Sequence, residues 1–557
     1  MKLVPAPDVD AVRAEPVVPG EPAPGRPRCL MTWAVLVLFI LLAVAHTWPL
    51  ASAPSRFSRN DNGDTLLNEW TLAWVAHQVV RDPVHLFDAN IFYPERRTLA
   101  YSENLFVQSL MVAPVLWAGG SPVLAFNLAL MGGFALTGWA AAFVMHRWTG
   151  SWLAGIMSGS LMAFNAHTLT RLPHVQAQHL EFFPFVLLAL DRLLASPKVK
   201  YALQLAGWFV LQSLASIYFM VFTSVAIVAA VAVRPSEWLR PRFRTFAPRA
   251  ALAAGVAIMA LAPFLLPYLL ANREQEGFSR SLGEVASYSA KLTDYLATGG
   301  TLHFELWSRQ FWKGDGLFPG VTAIALTLVT LATGLAISDR RARMAVAFGC
   351  VAFALSFGPA FPLYSTVYRI FPAMAALRGV LRFGQITLAA FAILAGFGLA
   401  TIQKRMKPRR ALPVCLALLL TAHVEALRAP LSYNEYGGIP AVFKTLNIPE
   451  PAVVVVFPFY PPSTIWLNAR YMLYSTAFWK PMLNGYSGFT PAKYVEHTAH
   501  LGGFPDEASI QYLRGLGVTH VLVDSRNMRQ AVMARLPSVR ELSLWGTDGN
   551  LRIYLLK

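Results

Sequence analysis

What most constrains this chain is a recurrence of long apolar stretches punctuated by short clusters of arginine and lysine. A bilayer core about 30 Å thick asks for about 20 apolar residues per helical span. The 557 residues are 55% hydrophobic and 14% charged, where a soluble chain carries about a quarter charged residues. The pattern therefore predicts a polytopic membrane protein. The net charge of +17 invites a nucleic-acid partner, but the cations are scattered over short loops between the apolar stretches. That distribution records topology, and no nucleic acid is expected.

The clusters His146-Arg147, Lys198 to Lys200, Arg234 to Arg249, Arg340 to Arg343 and Lys404 to Arg410 all fall on the cytoplasmic side under one assignment only. The spans are then 31–50, 122–144, 150–166, 180–196, 201–215, 217–233, 250–271, 316–338, 343–360, 383–402 and 411–428. The expected fold is mainly α, a polytopic helical membrane bundle of about 11 spans. Residues 1–30, rich in proline, read as a disordered cytoplasmic tail. Ala51-Ser-Ala53 resembles a cleavage site, but Pro54 follows it, so the first span is read as an uncleaved anchor. Residues 31–429 form the transmembrane domain, with a first outer loop at 51–121. Within it, 105–119 is too short to span and reads as an interfacial or re-entrant helix.

Residues 430–557 differ in composition and predict an extracytoplasmic α/β domain. Ala452 to Phe457 and Val518 to Val523 read as buried strands. Arg540 to Leu544 and Leu551 to Leu556 read as a hairpin around Gly546-Thr-Asp-Gly549. Ser509 to Leu516 reads as a short helix stopped by Gly517.

Several chemistries are disfavoured. Cys29, Cys350 and Cys415 lie in or beside apolar stretches and make no disulfide framework or cysteine metal site. No Walker loop, HExxH or GxSxG occurs. The span interiors hold almost no ionisable groups, which argues against an ion-coupled transporter.

The polar material of unusual character sits in the outer loops. The stretch Arg59-Asn-Asp-Asn-Gly-Asp64-Thr-Leu-Leu-Asn-Glu69-Trp70 is dense in carboxylates. Asp61 falls in a turn, and Asp64 heads a helical pattern over 65–80. There Leu66, Trp70, Ala73, Trp74 and His77 take one side, and Asn68, Thr71 and Gln78 the other. Asp64 is either a general base at the membrane surface or the cap of that helix. Glu103 is either a second acidic site group or a helix-start charge. In the loop Arg171-Leu-Pro173-His174-Val-Gln176-Ala-Gln178-His179, His174 and Gln176 suit a sugar or phosphate. Arg378 and Arg382, four apart, would share a helix face and repel unless an anion lay between them. Lipid headgroups explain that pair equally well. The loop Asn484-Gly485-Tyr486-Ser487-Gly488-Phe489 suits sugar stacking or docking of the tail onto the membrane domain.

The order of these parts resembles the GT-C glycosyltransferases. The matching pieces are Gly63-Asp64 with Asn68 and Trp70, Asn90-Ile-Phe-Tyr-Pro94, Ser102-Glu103-Asn104, the His174 loop, Ser356-Phe-Gly-Pro359, and Arg378 with Arg382. The chain is also similar to the YfhO type of bacterial membrane protein, most visibly in Leu516-Gly-Val-Thr-His-Val-Leu-Val523. The resemblance implies a bacterial inner-membrane enzyme, N-terminus in the cytoplasm. It would move a sugar from a polyprenyl-phosphate carrier to a glycan, lipid or protein acceptor on the outer face. Asp64 would be the base, and Arg378 and Arg382 would hold the lipid phosphate. Asp61, Glu103, His174 and Gln176 would complete the binding set. Some members use a divalent metal ion, and acids are available here, but no spacing demands one. The competing readings are a non-catalytic scaffold or flippase partner in envelope glycan assembly, and a transporter.

Overall fold

In a computed structural model the described residues are 27–59, 62–275, 280–371, 374–375, 377–449 and 451–557. The tail reading for residues 1–26 and the turn reading for Asp61 lie outside them. Pro27 already opens a helix, so residues 27–30 belong to the first apolar helix and not to a tail.

Every apolar stretch becomes a helix: Pro27–His46, Pro122–Thr149, Trp152–Ala163, Phe182–Ala195, Val199–Ala215, Ile217–Ala232, Phe243–Glu274, Val321–Ala332, Arg340–Ser356, Phe383–Arg405 and Pro408–Ala426. Three, namely Pro122–Thr149, Phe243–Glu274 and Phe383–Arg405 with its lead-in turn, are long and apolar enough to cross a membrane. Phe383–Arg405 is the hub. It is buried on all sides from Phe383 to Ala400 except at Phe391, as a helix enclosed by Trp152–Ala163, Val321–Ala332 and Arg340–Ser356 must be. A Cβ at Gly398 would lie 2.0 Å from the Leu326 carbonyl, so glycine is what permits that close backbone approach.

The first outer loop supplies Gly63–Arg81 and Phe106–Trp117. The second of these has 12 residues and is about 18 Å long. The first departs from the expected two-sided pattern: both sides are buried from Thr65 to Ala76, including Asn68, Glu69 and Thr71. It lies between the membrane domain and the tail domain, and so is not an amphipathic helix with one face in water.

The tail domain is built on a four-stranded sheet. Val454–Phe457 runs parallel to His520–Asp524, which pairs antiparallel with Leu551–Leu556, and Leu542–Asp548 forms the edge. The hairpin turn falls at Gly549-Asn550, because Leu542–Asp548 runs on through Gly546 by way of a bulge. Glu507–Gly515 is the expected short helix, and Gly517 follows in a left-handed conformation. The tail is sewn to the first outer loop by backbone. Phe57–Ser58 pairs with Asn434–Glu435, Tyr93 N–H donates to the Met482 carbonyl at 2.8 Å, and Met482 N–H to that of Asn90 at 2.9 Å.

Candidate active site

The Gly63–Arg81 helix begins with Asn62, whose side chain accepts from the Thr65 amide at 3.0 Å. Asn62 therefore does the capping that was the alternative explanation for Asp64. Asp64 lies within the first turn, with its side chain 42% exposed and free for other partners. Its Oδ1 accepts from the Tyr486 hydroxyl at 2.7 Å, and its Oδ2 lies 3.5 Å from His174 Nε2. Tyr486 comes from the glycine-aromatic loop, which acts as a docking element. Phe92 N–H donates to the Asn484 carbonyl, and Phe92 covers Gly485. Burial, and then the adjacent Asp64 carboxylate, raise the Tyr486 phenol, so it stays a donor to that carboxylate.

The His174 loop is held from both sides. Asn68 donates to the Pro173 carbonyl at 2.6 Å, and Gln385 to that of Ala177 at 2.6 Å. His174 is largely buried. Burial, then Arg382 and Arg171, push its pKa well below the ordinary value, and the ring is neutral. His174 lines a narrow crevice with Gln176, Arg382, Tyr218, Arg171 and His167. The Gln176 Oε1 and His174 Nδ1 are buried there without a partner among the described residues.

The arginine pair differs from expectation. Arg378 lies in a bend, and the turn Val380–Arg382 leads into the Phe383–Arg405 helix, so the two do not share a helix face. Separate tyrosines carry them: Arg378 lies 4.7 Å from the Tyr288 ring and Arg382 4.7 Å from the Tyr218 ring. The Tyr218 oxygen also accepts from the Arg378 and Gly379 amides at 3.3 Å. Neither arginine forms an ion pair among the described residues. Arg378 is near enough to act on the Tyr486 phenol, and Arg382 on His174. His174 and Arg382 thus share one crevice. Asp64 lies one side chain away, and Arg378 sits outside the crevice lining.

Glu103 is a helix-start charge, but of an unexpected helix. Its Oε1 accepts from Ser216 Oγ at 2.5 Å and from the Tyr218 amide at 3.2 Å, at the head of Ile217–Ala232. At the start of Phe106–Trp117 it is Asn104 whose side chain accepts from the Phe106 amide, at 3.0 Å. Glu103 therefore backs Tyr218 and does not line the crevice.

Sequence reasoning missed Asp315, Tyr218 and Tyr288. Asp315 accepts from Thr170 Oγ1 at 2.9 Å and Arg171 Nε at 2.9 Å, and lies 3.1 Å from His167 Nδ1. Its one sequence signal is an acid between Gly314 and Gly316, with Gly314 in the left-handed region. Tyr218 and Tyr288 carry no signal beyond being aromatic. Among the described residues no three His, Cys, Asp or Glu side chains cluster.

No family model matches the sequence, and no curated protein matches it. Among solved structures, it is similar to the arabinofuranosyltransferase AftD from Mycobacteria, with a TM-score of 0.62 at 16% identity over 96% of this chain and 40% of that one. ArnT from Cupriavidus metallidurans in the apo state matches with a TM-score of 0.50 at 12% identity over 95% of this chain and 98% of that one. The likeness is one of fold: the chain shares the fold of these two proteins. It spans about 40% of the length of AftD.

Proposed function

We propose that this protein transfers a sugar from a polyprenyl-phosphate carrier to an acceptor hydroxyl at the outer face of the membrane. One observation carries the reading. A half-exposed carboxylate, Asp64, is flanked by Tyr486 at 2.7 Å and His174 at 3.5 Å. Two arginines without acidic partners among the described residues stand around the same loop. A base and an anion holder side by side are what a displacement at a sugar carbon requires.

The acceptor oxygen attacks the anomeric carbon and its proton passes to Asp64. The bond from that carbon to the phosphate oxygen breaks, and the lipid phosphate leaves with the electron pair. Arg378 and Arg382 meet the charge that develops on it, with planar forks suited to phosphate. Tyr486 and His174 fix the direction in which Asp64 points. The eleven-span arrangement, N-terminus in the cytoplasm and tail outside, belongs to the same reading, because it brings all of these groups to one side of a bacterial inner membrane.

The test is Asp64→Asn, assayed for transfer from a polyprenyl-phosphate sugar. The expected loss is about 10²–10⁴-fold at unchanged membrane abundance. Normal transfer by this variant removes Asp64 from the mechanism.

A further inference from the structure

Behind the Gly63–Arg81 helix, three neighbouring clefts share lining residues and form a row, here called the trough. The first is lined by Leu66, Tyr436, Gly437, Arg470, Tyr474 and Asn550. The second shares Tyr436 and Gly438 with it and continues past His77, Trp117 and Lys444. The third shares His77 and Trp479 with the second and ends at Gln78, Arg81 and Asn447. The three hold about 440, 460 and 570 Å³, each within the range of about 300–1,000 Å³ typical of ligand sites. At about 100° per helical residue, Leu66, Ala73 and His77 lie about 180–220° around the helix from Asp64. The trough is therefore separate from the crevice of Arg382 and follows the helix for about 22 Å from Leu66 to Arg81.

Indole and imidazole rings line the second and third clefts, while the first is lined by Tyr436 and Tyr474 together with the charged Glu435, Arg470, Arg526 and Asp548. Trp479 stacks on His77 with ring centroids 4.3 Å apart and planes at 18°, and Trp74 leans on the same indole at 5.8 Å. Trp479 sits at a φ of 55°, in the left-handed region that bulky side chains rarely adopt and that concentrates where ligands are clamped. Trp117 is 54% exposed, with its indole N–H donated to the Ala76 carbonyl at 3.0 Å. That bond pins the polar edge of the ring and leaves the rest open to the cleft. Ser121, Thr476, Gln78, Asn447 and Asn550 supply hydroxyls and amides along the walls.

An apolar peptide would leave those polar walls unsatisfied, and an inorganic ion would not use the indoles. A sugar ring matches both, with apolar C–H faces for the aromatic rings and hydroxyl edges for the donors and acceptors. We propose that the trough binds an extended stretch of glycan chain, holding the polymer that bears the acceptor hydroxyl. The choice of polymer rests on the glycosyltransferase reading. The trough also adjoins the site: Tyr436, on its wall, and Tyr486, which holds Asp64, pack on the same cluster of Leu66, Ala469 and Leu473.

The experiment applies the full-length protein in nanodiscs to an array of defined linear oligosaccharides, with anionic-lipid vesicles as a parallel surface. Wild type and Asp64→Asn retain the same oligosaccharides. Trp479→Ala weakens retention about tenfold, the effect of losing one aromatic anchor. Gly437→Leu does the same by obstruction. Gly437 is exposed on the trough wall, and a Cβ there meets nothing within 4 Å, so the fold is spared. The proposal is overturned if the wild type retains no oligosaccharide, if Gly437→Leu binds as the wild type does, or if the variants alter vesicle binding alone. The two readings fail separately. Transfer by Asp64→Asn removes the catalytic reading and leaves the array result standing. An empty array with transfer lost in Asp64→Asn removes only the trough.

Discussion

At the scale of single residues, the site is a small set of charges whose partners decide their roles. Arg382 faces a tyrosine ring and lies near a neutral imidazole, with no acid paired to it among the described residues. Arg382→Ala is expected to lower transfer about 10²-fold, with much of the loss in kcat, and steady-state kinetics against the lipid donor reads that split. Asp315 is the contrasting case, a charge used to build the site. Burial alone would raise its carboxyl, but His167 and Arg171 outweigh burial and hold it below its ordinary 3.8. A depressed carboxyl stabilises the fold above its unfolded pKa and loses that contribution as pH falls. Asp315→Asn should therefore cost about 3–5 kcal/mol at neutral pH, and the gap from wild type should narrow below about pH 4. Detergent-phase melting at a series of pH values measures both. Asp64 stood out in the sequence by its place in a carboxylate-rich stretch at the head of a helical pattern, and His174 and Arg382 as polar groups bordering apolar stretches. Tyr486 was legible only as part of a loop, since its partner lies 422 positions away.

At the scale of elements, the Gly63–Arg81 helix carries the argument, for its start sets Asp64 and its middle is sealed between two domains. Its buried Glu69 makes the sealing measurable. Burial pushes this carboxyl up to about 8, although the Ser58 hydroxyl, donating at 2.6 Å, pulls the other way. A raised carboxyl favours the folded state fully below its unfolded pKa, and that advantage drains as pH rises from about 4.5 to about 8. Wild type should melt progressively lower between pH 5 and pH 9, whereas Glu69→Gln should lack that slope. An unchanged slope in Glu69→Gln would place the titration elsewhere. The existence of this helix, and of those at the apolar stretches, was readable from periodicity because burial against lipid or protein repeats with the turn. Its burial on both sides was not. A polar Asn68 or Thr71 reads as facing water until a distant segment is seen to cover it. The arginine pair failed for a related reason. Spacing of four implies a shared face only if the backbone is helical throughout, and here the turn begins at Val380, after Arg378.

At the scale of the whole molecule, the tail domain acts as a part of the site, because Tyr486 reaches Asp64 only while the two domains stay docked. The contact is tight at one point. A Cβ on Gly63 would stand 3.0 Å from Trp466 Cβ and 3.0 Å from the Tyr486 ring. Gly63→Val therefore obliges Trp466 and Tyr486 to shift at the residue next to Asp64, and is expected to loosen the docking while leaving the core of each domain untouched. Two results are expected together. Transfer should drop at least as far as in Tyr486→Phe, which removes only the hydroxyl. The segment joining Pro408–Ala426 to the tail domain should also become more open to limited proteolysis. Tyr486→Phe should leave the cleavage pattern as in wild type, because its ring still packs on Leu66 and Leu473. If Gly63→Val lost activity with the domains still closed to protease, the tail would be a bystander. The defect would then lie in the start of the Gly63–Arg81 helix alone.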